Sequence, residues 1–312
     1  MTTVRISERL TDLAYAAGWG LVNRMPERAA ETFFRMGADY TASRRGQGAT
    51  QYRRNLARVV PGATEAELDQ LVRDGLRSYA RYWRETFRLS TMDHREIGRR
   101  VDEVVVGGDL IDAALERGKG LILALPHTGN FDVSGIWLVS HHGRFTTVAE
   151  RLRPESVYER FLAYRQSLGF EILPLTGGKA NPYRVMVQRL RENRIVCLVS
   201  DRDLTNMGTP VTFFGEHTRM PAGPARLAAS TGAQVVVVAN SFTPGGWGLR
   251  LHSPMEITGR AEAPALTQRI ADAFAKDIAA NPVDWHMLQK LWISDLSDAR
   301  RQALAVSGGE HG

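Results

Sequence analysis

The stretch GLILALP, residues 120–126, decides the fold. Its apolar core is unbroken, shows no polar alternation, and is closed by Gly at one end and Pro at the other. A run that short and that apolar predicts a strand covered on both faces. The same kind of run recurs at 103–107 (EVVVG), 145–150 (FTTVAE), 171–175 (EILPL), 195–200 (IVCLVS) and 234–240 (QVVVVAN). Between them, residues near 109–117, 130–141, 154–168, 180–192 and 222–231 read as helices. Buried strands alternating with helices predict an α/β architecture, a central sheet flanked by helices. The tail from 263 to 293 returns to a helical pattern and includes PVDWHMLQKLW.

Residues 1–100 read as helical throughout. The clearest helix runs from about Thr64 to Leu89. Thr64 and Glu67 make a capping box at its start, and Leu68, Val72, Leu76, Tyr79, Trp83 and Phe87 fall on one face. Arg73, Arg77, Arg81, Arg84 and Arg88 form a second stripe, either a solvated face or a contact for anionic headgroups. Charge is lopsided in the same way. Residues 1–100 hold 18 Arg, no Lys and 12 acids, an excess that equals the net charge of the whole chain, +6. Such a basic segment fits a nucleic acid or an anionic membrane, while 36 Arg against 4 Lys also fits codon bias.

The 312 residues, 43% apolar and 24% charged, have globular composition, which argues against a disordered chain. The expected organisation is a single domain, 1–312, with a helical membrane-facing part at 1–100, an α/β part at 101–295 and a tail at 296–312. The single cysteine, Cys197, excludes an intrachain disulfide and a multi-cysteine metal site, and its apolar run marks it as a buried thiol. The N-terminus shows no signal sequence. Its longest uncharged apolar stretch, LAYAAGWGLVN, has 11 residues, against about 20 for a spanning helix.

Ligands of open α/β sheets bind beyond the carboxyl ends of the strands. GLILALP runs directly into His127, Thr128, Gly129, Asn130, Phe131 and Asp132. An imidazole is suited to taking a proton from a hydroxyl near neutral pH. A carboxylate five positions on, across a turn, can orient and charge-compensate it, as the acid of a catalytic triad does. Asp132 also fits a plain helix-start acid.

HTGNFD resembles the His-four-residues-Asp signature of membrane-associated acyltransferases of the glycerolipid and lipid A type. Val148, Ala149, Glu150 and Arg151 follow the next strand, and Arg165 lies in the helix after it. IVCLVS leads into Asp201, Arg202 and Asp203, and VTFFG (211–215) precedes a Pro-initiated helix. This order is similar to that of the late acyltransferases of lipid A biosynthesis, and more so to the phosphatidylinositol mannoside acyltransferases of mycobacteria.

The resemblance implies a glycerolipid acyltransferase-like fold and transfer of a fatty acyl group, palmitoyl by preference, from acyl-CoA. The implied acceptor is the 6-hydroxyl of a mannose in an anionic membrane glycolipid. It implies direct attack with His127 as general base and Asp132 behind it, no metal and no cofactor beyond the acyl-CoA substrate. Glu150, Arg165 and Asp201 hold the acceptor or support the catalytic pair. Glu is expected in the mannoside branch where this chain has Asp201. The implied partners are acyl-CoA, the glycolipid and the membrane surface, with no nucleic acid. The implied location is peripheral, on the cytoplasmic face of the inner membrane.

Other readings are weaker. Asp201 and Asp203 have the Asp-x-Asp look of a metal-dependent glycosyltransferase acting on a lipid acceptor. No Gly-x-Ser-x-Gly elbow or Gly-x-Gly-x-x-Gly turn is present. TGGKA (176–180) lacks the spacing of a P-loop, and Lys179 and Arg184 read as surface charge or as contacts for a CoA phosphate. His141 and His142 read as a helix-end pair, His217 as a loop residue and His286 as a packed helical histidine.

Overall fold

A computed structural model describes residues 18–150, 155–178, 180–205 and 207–302. The beginning of LAYAAGWGLVN, Arg151, Lys179 and most of the tail lie outside the described residues. The chain opens with helices: α1, described over 18–24, α2 (Glu27–Arg44), α3 (Gln47–Val59), α4 (Glu65–Arg88) and α5 (His94–Asp102). α6 (Asp109–Glu116) then leads into an alternating region. It comprises β1 (Leu121–Leu125), α7 (Phe131–His142), β2 (Thr146–Ala149), α8 (Glu155–Ser167), β3 (Glu171–Pro174), α9 (Pro182–Arg191) and β4 (Ile195–Val199). A hairpin, β5 (Thr209–Phe213) and β6 (Glu216–Met220), precedes α10 (Gly223–Thr231). The strands β7 (Gln234–Thr243) and β8 (Gly246–Leu251) and helix α11 (Ala263–Ala280) follow.

Among the described residues the main sheet has the order β3-β2-β4-β1-β7-β8, and only the β7–β8 pair is antiparallel. β1 is buried along its whole length. Its side chains alternate between two cores: Ile122 and Ala124 face one, Leu121, Leu123 and Leu125 the other. Helices α9, α10 and α11 cover the first face; α5, α7 and α8 cover the second. Two-sided coverage is the physical reason that these strands read as continuous apolar runs. From β1 the chain moves to β2 on one side; from β4 it later moves to β7 on the other. The carboxyl ends of β1 and β4 therefore meet at the reversal of strand order, where open α/β sheets bind ligands.

The capping box of α4 is present: Glu67 N–H donates to Thr64 Oγ1 (3.3 Å) and Thr64 N–H to Glu67 Oε2 (2.8 Å). Leu68, Val72 and Leu76 are buried on the predicted face, each contributing about 1.5–3 kcal/mol by leaving water.

Several expectations are corrected. EVVVG is not a strand: Val104 and Val105 continue the end of α5, and only Val106 bridges to Arg250 beside β8. Helix α11 stops at Ala280, and Pro282 starts a 3₁₀ turn, so His286 lies in irregular chain. His217 sits in β6 opposite Thr212 rather than in a loop. The Arg stripe of α4 is mostly internal mortar, not a free face. Arg77 pairs with Asp39 (2.6 Å), and Arg84 faces Glu27 (3.5 Å). Arg88 donates to Met25 O (2.7 Å) and Arg81 to Gly246 O (2.7 Å). Arg73 is exposed. Among their exposed residues the first helices also present large apolar side chains: Leu21, Phe33, Met36 and Tyr40, each more than 60% accessible. No described helix is long and apolar enough to cross a membrane.

Candidate active site

β1 and β4 pair in register, Leu125 opposite Val199. Continuing both strands by two residues brings His127 against Asp201. The contact is close: His127 Nδ1 lies 2.5 Å from Asp201 Oδ1, and the His127 backbone N–H donates to Oδ2 at 3.0 Å. The Trp285 indole N–H donates to the same Oδ2 at 3.0 Å. Asp201 is fully buried, whereas the His127 ring is 38% exposed. Burial alone would push the Asp201 carboxyl up. The neighbouring His127 charge and the donors from His127 and Trp285 outweigh it and hold the group below the ordinary carboxylate range. An ionised Asp201 fixes the proton of His127 on Nδ1 and leaves the Nε2 lone pair to act as a base.

The sequence expectation placed Asp132 behind His127, and the structure places it elsewhere. Asp132 is the second residue of α7, and its carboxylate turns to Arg165 of α8, at 3.0 Å from Nε and 3.3 Å from Nη2. Burial works against the Arg165 guanidinium; Asp132 outweighs it and raises its pKa. Five residues of separation carry the carboxylate past the turn and onto a helix, where it pairs with Arg165. Asn130 caps α7 by accepting from the N–H groups of Asp132 (3.2 Å) and Val133 (3.3 Å), and donates to buried Glu85 of α4 at 2.7 Å. Gly129 has φ +53°, and a Cβ there would lie 2.8 Å from the Ser241 nitrogen, so the turn after His127 requires glycine.

Of the remaining expected residues, Arg165 reaches the site through Asp132, and Glu150 is exposed at the end of β2, on the same edge of the sheet. Asp203 closes its own loop, accepting from Thr205 N–H (2.9 Å) and Gly208 N–H (2.8 Å). Asp201 and Asp203 are thus committed to separate donors and do not form a shared ligand pair. Among the described residues no cluster of His, Cys, Asp and Glu suits a metal ion. His141 and His142 meet different acids, Asp102 (3.1 Å) and Asp112 (3.6 Å).

His286 is packed, as expected, and the segment 284–286 also borders the site. Asp284 O accepts from Gly129 N–H (2.9 Å), and His286 N–H donates to His127 O (2.8 Å). Burial, and then the His127 charge, lower the His286 pKa to about 3, so it is neutral near pH 7. Only the dipeptide Trp285-His286 in an apolar context signalled this, and that pattern is shared by any packed core.

Behind Phe131 lies a small apolar cavity of about 80 Å³ between α7 and the sheet. Leu123, Leu125, Gly135, Leu138, Cys197 and Val199 line it, with Phe131, Asp132 and Arg165 also at its wall. Phe131 stands between cavity and base: its ring meets His127 edge-on at 6.4 Å. Cys197 is buried there, its thiol pKa pushed up by desolvation, as a structural thiol and not a nucleophile.

A base with a buried carboxylate behind it suits activation of a hydroxyl, and the cavity behind Phe131 suits a small apolar group. The chain matches the family described as bacterial lipid A biosynthesis acyltransferase over residues 1–294. It belongs to that family. It is 53% identical to the phosphatidylinositol mannoside acyltransferase of Mycolicibacterium smegmatis, covering 97% of this chain and 98% of that protein. It is 52% identical to the proteins of the same name from two strains of Mycobacterium tuberculosis, covering 96% of this chain and 94% of each. Family membership makes the protein an acyltransferase.

Proposed function

We propose that the protein transfers a fatty acyl group, palmitoyl by preference, from acyl-CoA to a membrane glycolipid, at the 6-hydroxyl of a mannose in phosphatidylinositol mannosides. The observation that carries this reading is the His127–Asp201 pair at the sheet's carboxyl edge, with Phe131 between it and a small apolar cavity. His127 Nε2 takes the proton of the acceptor hydroxyl as its oxygen attacks the thioester carbonyl. The new C–O bond forms, the C–S bond breaks and coenzyme A leaves as thiolate. Asp201 stabilises the imidazolium until the proton is passed on. Of its two expected roles Asp201 is assigned support of the catalytic pair, and Asp132 is assigned to hold Arg165. Arg165 and Glu150 are assigned to the polar acceptor, and the cavity to a small apolar part of the acyl chain. The sheet is read as the glycerolipid acyltransferase-like arrangement.

Membrane contact is assigned to the exposed apolar face of α1 and α2, with the net basic charge of the first hundred residues drawing it to anionic lipid. With acyl-CoA as donor, the location read for the protein is peripheral, on the cytoplasmic face of the inner membrane. The test is purified protein with palmitoyl-CoA and a panel of mannosylated phosphatidylinositols, lipid A precursors and lysophospholipids, read by mass spectrometry. The expected product is a mono-acylated mannoside, formed equally well in EDTA. Activity lost in chelator and restored by Mg²⁺ or Mn²⁺ would instead favour the glycosyltransferase chemistry of Asp201 and Asp203.

A further inference from the structure

Asp201 has one carboxylate to divide among three donors. Oδ1 faces His127 Nδ1, while Oδ2 receives both the His127 backbone N–H and the Trp285 indole N–H. The last side-chain torsion of an aspartate is soft. The two donors on Oδ2 are what stop the carboxylate from turning and losing its line to the imidazole. The indole is itself held. Trp285 is fully buried, and its ring meets Phe213 (6.1 Å), Phe214 (6.5 Å) and Trp292 (6.1 Å). Phe214 and Gly215 make the turn between β5 and β6 with φ +49° and +77°. Two positive φ values in a hairpin turn favour Asn-Gly, and a bulky residue there is an outlier. The ring contacts of Phe214 with Phe213 and Trp285 give that outlier a purpose.

We propose that Trp285 is a positioning residue of the acyl transfer, acting through Asp201 on His127, and that the β5–β6 hairpin holds its indole in place. This rests on the general-base reading above. Losing the indole donor leaves Asp201 more basic, so the carboxylate holds a proton on His127 more tightly and the neutral base appears only at higher pH. The groups facing the pair come from several elements. His286 is neutral near pH 7, Asp284 is raised by burial, and Asp132 is paired with Arg165. Glu85 is engaged by Arg81. On the hairpin side Arg58 of α3 stacks over Trp292 at 4.5 Å, its charge met by Glu216 and Asp295.

Trp285→Phe keeps an aromatic ring, though a smaller one, and removes the N–H. The acid limb of its kcat/KM profile is expected to move up by about one pH unit, so that activity on that limb falls roughly tenfold and recovers at higher pH. In an Asp201→Asn background the same change should cost nothing further. A uniform loss at every pH, or full additivity with Asp201→Asn, overturns the proposal. A second measurement needs no substitution at 285. In ¹⁵N-indole-labelled wild-type protein the Trp285 N–H signal should shift across the pH range in which His127 titrates. That shift should vanish in His127→Gln, which also separates His127 from Asp284 as its source. An indole signal indifferent to pH, or still shifting in His127→Gln, refutes the linkage. The spectroscopic result stands whether or not acyl transfer is found, so failure of the linkage and failure of the enzymatic reading are distinguishable.

Discussion

Asp201→Asn and Asp132→Asn separate two carboxylates that are apart in sequence and in role. Asp201 Oδ1 lies 2.5 Å from His127 Nδ1. At an effective dielectric of about 20, a full charge pair at that distance interacts by roughly 7 kcal/mol. The imidazole is more than a third exposed, so solvent screens part of this. A net loss of about 4–5 kcal/mol of transition-state stabilisation remains, which is about 10³- to 10⁴-fold in kcat. Removal of the orienting acid from a serine-protease triad costs about 10⁴. The fold should survive, because Asn keeps an acceptor for Trp285 and the His127 backbone. Asp132→Asn leaves Arg165 without its counter-charge. Stripping one partner from a buried pair costs about 3–5 kcal/mol, and the retained amide oxygen places this case at the lower end. The assay is steady-state acyl transfer with active protein quantified, alongside thermal unfolding. Asp201→Asn should lose kcat at nearly unchanged Tm; Asp132→Asn should lose Tm by several degrees, and its folded fraction should keep more activity. The reverse pattern refutes the assignment of Asp201 as the partner of His127.

The other predictions are independent of that pair. A Cβ at Gly135 would stand 2.5 Å from the Phe170 ring, which lines the cavity. Gly135→Ala should therefore push that ring inward and shift donor preference toward shorter acyl-CoAs, measured by competition between chain lengths. Replacing Phe33, Met36 and Tyr40 together by Ser should lower partition onto anionic vesicles in a sedimentation assay, whereas Arg81→Gln should chiefly lower Tm. The Arg189 hydrogen bond, opposed by burial and aided by Thr146, depresses Glu171 to about 2. A depressed carboxyl contributes stability above its unfolded pKa and loses it as pH falls toward the folded one. The Tm gap between wild type and Glu171→Gln should thus close as pH drops from about 4.5 toward about 2.

The strands β1, β4 and β7 were legible because burial on both faces writes itself as an apolar run. Helix α4 was legible because its cap and its buried face are both local patterns. EVVVG misled because three valines mimic a strand although they follow a helix end and run into Gly107 and Gly108. The hairpin β5–β6 was missed because its strands carry Pro210, Thr212 and His217 on an exposed face, which blurs the apolar signal. The pairing of His127 with Asp201 depends on which strands are neighbours, and strand order is not a local property. Nearness in sequence favoured Asp132, and sheet topology overrode it.

The bonds from 284–286 to the loop after β1 join the two ends of the catalytic half of the chain. A polypeptide released at Ala280 would contain every strand of the sheet, the base and its carboxylate. It would still lack the indole donor and the backbone contacts that seat them. Competence is in this sense the last thing the chain acquires. The strands of the sheet are all made before the residues that seat the His127–Asp201 pair, so scaffold and competence are separated in the order of synthesis.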